Sequence, residues 1–91
     1  MHEFPFVEKQ VGDKLFLREF KHDIHSEELI WHQDKEDRTI TVMEANGWLL
    51  QLDNQVPVFL KEGEKYYIPK FTWHRVIKGT GDLRILLEKV Y

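Results

Sequence analysis

The sequence has no cysteine and no long apolar run, and each absence excludes a class of protein. Without cysteine it cannot form disulfides, thiolate nucleophiles, or cysteine-bound zinc and iron–sulfur sites. It also lacks the cross-links of small secreted domains, which favours a cytoplasmic location, and residues 1–6 do not have the pattern of a signal peptide. The longest apolar stretch, residues 56–60, is far shorter than the ~18 residues of a membrane helix. We therefore expect no membrane partner.

An excess of basic charge is also missing, because 13 lysine and arginine residues face 16 aspartate and glutamate residues, giving a net charge of −3. A mildly acidic surface does not attract the phosphate backbone, so we expect no nucleic-acid partner. The chain has 91 residues, of which 42% are hydrophobic and 13% are aromatic. That composition is enough for one small core, and we expect a single domain over residues 1–91.

Apolar residues occur in short bursts or alternate with polar ones, and no stretch has the spacing of an amphipathic helix. The run 39–43 is rich in β-branched residues, which suit a pleated strand. About eight strands at roughly ten-residue spacing predict an all-β sandwich or barrel. Residues 22–28 are predicted to be a polar loop or a short helix. Turn residues separate the bursts at Asn46-Gly47, Asp53-Asn54, Glu62-Gly63 and residues 79–82.

A stretch in the second half of the chain resembles the second sequence motif of the cupin family. In that motif a glycine is followed by five residues, a proline, one residue, a glycine, two residues and a histidine. Gly63, Pro69 and His74 match this spacing. Phe71 stands where the family has its second glycine, and Lys78 stands where the family has an asparagine.

The first cupin motif is matched only in part. It carries two histidines one residue apart, followed by a glutamate and then by a hairpin glycine. His32 and Asp34 occupy the paired positions, so an aspartate replaces the second histidine. The glutamate position falls on Arg38 or Thr39, and Gly47 corresponds to the hairpin glycine.

The two motifs extend over about residues 29–89, and the resemblance implies an all-β fold, a small cupin-type double-stranded β-helix (jelly-roll) barrel. Residues i and i+2 of a strand project to the same side, so His32 and Asp34 point together. The family brings its second motif beside the first, which adds His74. Two histidines and one carboxylate with open positions suit Fe(II), and also Mn, Ni or Zn. We expect these three side chains to bind one divalent metal ion.

Arg38 leaves the interpretation of this site open, because arginine stays charged at any working pH. An inward-pointing Arg38 would repel a divalent ion, pair with Asp34 and remove it as a ligand, or bind the carboxylate of a substrate above the metal. Alternatively, residues 34–38 are only a charged turn at a solvated strand end, and His74 lies in a polar strand without a ligand role. One residue of strand register decides which way Arg38 points.

Several side chains are candidates for contact with a small-molecule ligand, although most of the large rings are expected in the core. Two functions remain open, and whether the protein is an enzyme is not decided. The first is a metal-dependent oxygenase, isomerase or lyase acting on a small polar or acidic substrate. The second is a metal-free domain that binds a small molecule or a sugar. The candidate contact residues are Arg38, Gln51, Tyr66 and Arg75.

The N-terminal strands, within residues 1–20, are the predicted site of homodimer contact. A barrel of this size has open strand edges and a thin core, and cupin-like domains commonly pair through such strands or through sheet faces. The apolar residues available for this contact are Phe4, Phe6, Val7, Leu15 and Phe20.

Overall fold

The computed structural model describes residues 6–25 and 29–90, and within these ranges the chain forms strands and turns but no helix. The eight strands of the described part agree with the expected all-β class. Of the polar segment 22–28, residues 22–25 form a turn and residues 26–28 lie outside the described ranges. The strands are β1 (Val7–Gly12), β2 (Leu15–Phe20), β3 (Asp37–Glu44), β4 (Leu49–Leu52), β5 (Val58–Phe59), β6 (Lys65–Ile68), β7 (His74–Ile77) and β8 (Leu83–Val90).

The strands form two sheets, of five and three strands. The larger has the order β1-β2-β8-β3-β6 and the smaller the order β5-β4-β7. Each pairing in these sheets is antiparallel. Because β3 pairs with β8 and β6, which follow much later in the chain, the polypeptide crosses between the sheets instead of running as a meander. Two antiparallel sheets connected in this way form a double-stranded β-helix, or jelly roll, so the predicted architecture is confirmed.

The hydrophobic core lies between the two sheets. Buried and less buried residues alternate along β3 and β8, and Ile40 and Leu87 are buried partners across that pair. Trp48 is completely buried, and its indole N–H donates to the carbonyl oxygen of Gly81 at 2.7 Å. The ring is therefore buried without an unsatisfied polar group. The buried hydrophobic residues of the described part are Phe20, Ile40, Val42, Ala45, Trp48, Leu50, Leu60, Ile68, Leu83, Ile85 and Leu87.

The residues predicted for dimer contact divide between the two faces of the larger sheet. Phe20 is buried, and its ring centroid lies 5.4 Å from that of Phe6, so these two side chains pack in the interior. Val7 is exposed and Leu15 is half-buried. Phe4 lies outside the described residues. Val7 and Leu15 are thus the predicted contact residues that face away from the core, and the homodimer stays a prediction.

Arg18 is a charged residue in an otherwise apolar inward row of β2, between Phe16 and Phe20. It is buried, and its Nη2 and Nε atoms donate to one carboxylate oxygen of Glu8 on β1, at 2.6 and 2.9 Å. Its guanidinium carbon lies 3.8 Å from the centroid of the Phe6 ring. Burial lowers the pKa of Arg18, and the hydrogen bond to Glu8 opposes that shift. Glu8 therefore supplies the counter-charge that makes an interior arginine tolerable.

Phe71 adopts a backbone conformation that normally favours glycine. Its φ is 59°, in the left-handed region, where a Cβ atom is crowded by the following carbonyl. Its N–H donates to the carbonyl oxygen of Asp34 at 2.7 Å, which joins the loop after β6 to the segment before β3. The structure thus gives a physical reason for the glycine that the cupin motif has at this position.

Replacing Glu8 by glutamine is expected to destabilise the fold, because the buried Arg18 loses its counter-charge. The expected loss is about 1–3 kcal/mol in the free energy of unfolding, measured by urea denaturation. Glu62→Gln is the control, since Glu62 is exposed in a turn, and it should change stability by less than about 0.5 kcal/mol. Equal stability of the Glu8 variant and the unmodified protein would show that the ion pair makes no net contribution to the free energy of unfolding.

Replacing Phe71 by glycine is expected to stabilise the fold, because glycine adopts a positive φ without steric cost and the Phe71 ring is already exposed. We expect a gain of about 0.5–1 kcal/mol, or about 2–8 °C in Tm by calorimetry. Phe59→Gly is the matched control, since Phe59 is equally exposed but lies in a strand, and it should lower Tm. A lower Tm for both variants would refute strain at Phe71.

Candidate metal centre

The centre is formed where the segment before β3 meets the start of β7. His32 and His74 form an isolated antiparallel bridge, in which each N–H donates to the carbonyl oxygen of the other residue, at 3.0 and 2.8 Å. Directly opposed residues of an antiparallel bridge carry their side chains on the same face. The two imidazole rings accordingly lie 4.3 Å apart between centroids, at an interplanar angle of 59°. The bridge therefore fixes two potential ligands side by side.

The backbone also selects the tautomer of each histidine. The Nδ1 atom of His32 lies 3.0 Å from the carbonyl oxygen of Ile30, and the Nδ1 atom of His74 lies 2.8 Å from that of Thr72. A carbonyl oxygen only accepts hydrogen bonds, so each Nδ1 must carry a proton and donate it. In a neutral imidazole the Nε2 atom then carries a free lone pair. This is the arrangement that orients histidine as a metal ligand.

Asp34 completes the group. Its Oδ2 atom lies 3.2 Å from Nε2 of His74. This oxygen is buried and has no hydrogen-bond partner within the described residues. One donor atom from each of His32, Asp34 and His74 can be chosen so that all three lie within 4.8 Å of one another. Donor atoms bound to one ion at about 2.0–2.2 Å are at most about 4.4 Å apart, so small side-chain movements would close the group on an ion.

The chemistry of these candidate ligand atoms suits a bound cation. With a proton on Nδ1, a neutral His74 presents the lone pair of Nε2 toward Oδ2 of Asp34, so two acceptors face each other without a hydrogen between them. A buried carboxylate oxygen without a donor is costly. Either a proton on His74 or a divalent metal ion removes that cost. The set of two imidazoles and one carboxylate is also a recognised metal-ligand set.

The charge states of Asp34 and His32 suit metal binding at neutral pH. Burial raises the pKa of the Asp34 carboxyl, but the contact with His74 and the charge of Arg38 outweigh that effect and hold the pKa below its usual value. Burial lowers the pKa of His32, with a smaller contribution from the neighbouring His74. Asp34 is therefore ionised and His32 neutral, which are the states in which both bind metals.

Arg38 points inward, which answers the question that the sequence left open. Its register on β3 places it in the same row as the buried Ile40, whereas Thr39 lies in the opposite row. The Nη2 atom of Arg38 lies 3.1 Å from Oδ1 of Asp34, and Nε and Nη2 donate to one oxygen of Glu36 at 3.0 and 2.7 Å. Arg38 therefore pairs with one oxygen of Asp34 and leaves the other oxygen directed at His74.

The remaining candidates for ligand contact lie away from this group. Gln51 and Arg75 are cross-strand partners in the smaller sheet, and Arg75 donates to the Gln51 side chain at 3.0 Å. Arg75 follows His74 in the same strand, so its side chain projects from the opposite face. There its guanidinium lies 4.8 Å from the centroid of the Trp31 ring. Tyr66 lies in the inward row of β6, but its hydroxyl accepts from the backbone of residue 61 and donates to that of residue 59.

The structure adds two charged residues that sequence analysis did not single out, Glu36 and Arg18. Arg18 had a recognisable signal, because an arginine flanked at i±2 by two phenylalanines lies in an apolar row. Glu36 had no such signal, since it looked like part of a charged turn.

Two histidines outside the group, His22 and His25, are exposed, and His22 contacts Asp82. His2 lies outside the described residues.

No protein-family model matches the sequence, and no curated protein matches it either. Solved structures do match in fold. An RmlC-like cupin with a double-stranded β-helix fold from Methanocaldococcus jannaschii has a TM-score of 0.74 at 15% identity, over 97% of this chain and 82% of that one. A cupin domain from Bordetella pertussis Tohama I has a TM-score of 0.63 at 17% identity, over 100% of this chain and 99% of that one.

Larger proteins match over part of their length. A structure described as one of the DMSP lyases RdDddP and RnDddQII has a TM-score of 0.73 at 16% identity, over 85% of this chain and 37% of that one. HppE with Co(II) and Tris has a TM-score of 0.73 at 12% identity, over 99% of this chain and 56% of that one. The chain thus spans about a third of the lyase structure and little more than half of HppE.

The fold is that of a small cupin domain, as the two partial motifs predicted. Identities of 12–17% to these structures establish the architecture and leave the chemistry to the residues of the site. None of the described segments is a helix long and apolar enough to cross a membrane.

Proposed function

We propose that this protein binds one divalent metal ion through Nε2 of His32, Nε2 of His74 and Oδ2 of Asp34. The observation that carries the proposal is that one possible ligand atom from each of the three side chains lies within 4.8 Å of the others. In addition, Oδ2 of Asp34 is buried and has no hydrogen-bond donor within the described residues. Two hydrogen bonds from Nδ1 atoms to backbone carbonyls orient the rings in advance. Preorganised ligands of this kind reduce the cost of closing a site around an ion.

Two histidines and one carboxylate leave further coordination positions open, which suits Fe, Mn, Ni or Zn. A metal held in this way supplies a Lewis acid or a centre that activates oxygen. The chain's own contribution is positional. His32 and His74 are held by their backbone bridge, and Arg38 holds the second oxygen of Asp34. Similarity in fold to structures of HppE with Fe(II) and with Co(II) supports a metal in a site of this fold.

The proposed activity is that of a metal-dependent oxygenase, isomerase or lyase on a small polar or acidic substrate. Similarity in fold to the DMSP lyase structure supports chemistry on a small molecule. Arg38 is the candidate contact residue that lies beside the three ligands. Tyr66 would contribute to the inner wall. Gln51 and Arg75 would contact only a ligand that extends over the outer face of the smaller sheet.

A metal-free binding domain is the second candidate, and the Arg38–Asp34 ion pair is the observation that favours it. An arginine at the position of the family's glutamate supplies a permanent positive charge where a ligand would otherwise supply a negative one. In that case His32, Asp34 and Arg38 would form hydrogen bonds to a small molecule or a sugar. Metal binding therefore separates the two functions.

The metal proposal is tested by melting temperature on protein purified without an affinity tag. At a metal concentration 100 times the dissociation constant, binding to the native state adds about 2.7 kcal/mol, which is at least about 10 °C in a domain of this size. We expect such a rise with Mn, Fe, Ni or Zn, and its loss in His32→Ala, His74→Ala and Asp34→Asn. His25→Ala is the control, because His25 is exposed and outside the group.

Two outcomes would decide against metal. The first is a melting temperature that does not respond to any of these ions. The second is a metal content below one ion per chain under all loading conditions, measured by elemental analysis. Either result would favour the metal-free binding domain.

We also propose a homodimer in the cytoplasm. The outward rows of the larger sheet carry Val7, Leu15 and Val90, of which Val7 is 64% exposed and Val90 is 46% exposed. Among the described strands, the edge strand β1 pairs only with β2, so a second copy can pair with the other side of β1. Light scattering at micromolar concentration should give the mass of two chains, and Val7→Lys should shift it toward one. A monomer mass for the unmodified protein would contradict the dimer.

A further inference from the structure

The charged side chains near the candidate metal centre form one group, which is buried or half-buried except at Glu8 on the edge strand β1. Arg18 pairs with Glu8, and Arg38 pairs with Glu36, at 2.6 and 2.7 Å. Asp34 is the fifth member and interacts electrostatically with both arginines. Two cations and three carboxylates give this group a net charge of −1, and the excess charge lies on the carboxylate that faces the histidines.

Another cation, Lys89, lies near this group. It lies opposite Arg38 in the register of β8 with β3, and its amine lies 4.6 Å from the centroid of the Phe16 ring. With Lys89 included, the net charge of the group becomes zero. A bound divalent ion therefore leaves an excess of one positive charge, or of two when Lys89 is counted. An uncompensated positive charge in a partly buried site attracts an anion.

Arg38 has donor capacity for such an anion. Its contacts with Glu36 use Nε and Nη2, and its contact with Asp34 uses Nη2. Within the described residues its Nη1 atom makes no hydrogen bond, and it is not among the buried atoms that lack a partner. A guanidinium binds planar carboxylates through its N–H edges. Arg38 thus offers an accessible donor beside the Asp34 carboxylate.

We propose that Arg38 and the metal centre together bind a small carboxylate ligand, and that this carboxylate is the group by which the substrate is recognised. The proposal rests on the proposed function, since the positive excess arises only when the site holds a divalent ion. One carboxylate oxygen accepts from Nη1 of Arg38, and the other reaches toward the three ligand side chains. Metal and carboxylate should therefore bind cooperatively.

The experiment measures binding of trifluoroacetate by ¹⁹F NMR, with and without Zn²⁺ on the protein, and trifluoroacetamide is the uncharged match. We expect trifluoroacetate to bind at least about tenfold more tightly to the Zn²⁺-loaded protein, corresponding to a coupling of about 1.4 kcal/mol. Trifluoroacetamide should show no such dependence on the metal. Equal binding of the two probes, or equal binding of trifluoroacetate with and without Zn²⁺, would overturn the proposal.

Two variants assign the effect to Arg38. At saturating Zn²⁺, Arg38→Gln should weaken trifluoroacetate binding by about tenfold. Glu36→Gln should strengthen it by about threefold, because Arg38 then loses a competing carboxylate. That gain cannot result from misfolding, so it decides the matter if Arg38→Gln does not fold. Arg84→Gln is the control, since Arg84 lies in the opposite row of β8 and pairs with Glu19.

The outcomes separate this inference from the proposed function. If Zn²⁺ does not bind, the metal site itself is wrong. If Zn²⁺ binds but neither variant changes trifluoroacetate affinity, the metal site stands and the role of Arg38 is wrong. Opposite effects of Arg38→Gln and Glu36→Gln on the metal-loaded protein would support the proposal.

Discussion

The backbone bridge between His32 and His74 is the interaction on which the site depends. Its two hydrogen bonds, at 3.0 and 2.8 Å, join the segment before β3 to the start of β7. Because the bridge is antiparallel, it also determines that the two rings lie on one face. A third backbone hydrogen bond, from Phe71 to Asp34, joins the carboxylate segment to the loop between β6 and β7. The candidate ligands are thus placed by main-chain pairing.

Electrostatics inside the barrel accounts for the rest of the site. Arginines are tolerated in this small interior because each has a carboxylate partner, Glu8 for Arg18 and Glu36 for Arg38. Asp34 then provides the negative charge beyond these two pairs, and its Oδ2 atom lies next to Nε2 of His74. The arrangement that looked unfavourable to a metal, an arginine at the glutamate position, becomes compatible with one because Arg38 engages one oxygen only.

Much of the fold could be predicted because its signals are local. Alternation of apolar residues, β-branched runs and turn residues marked the strands, and the glycine position of the second motif falls on a residue with positive φ even though phenylalanine occupies it. The site was predictable only in part. Asp34 and His32 are close in sequence, but the direction of Arg38 depended on one residue of register, which local patterns do not define. Glu36 could not be recognised, since its role requires knowing where Arg38 points.

The all-β class, the approximate strand positions and the residue types available for a metal can be read from the sequence, because they follow from side-chain chemistry and local periodicity. Which row of each strand faces inward depends on how the strands pair in three dimensions. The tertiary structure placed Arg18 and Arg38 in the interior and Gln51 with Arg75 on the outer face. It also brought His74 beside His32 and Asp34. The physical reason is that strand pairing joins residues far apart in the chain, and only that pairing assigns a face to each alternating side chain.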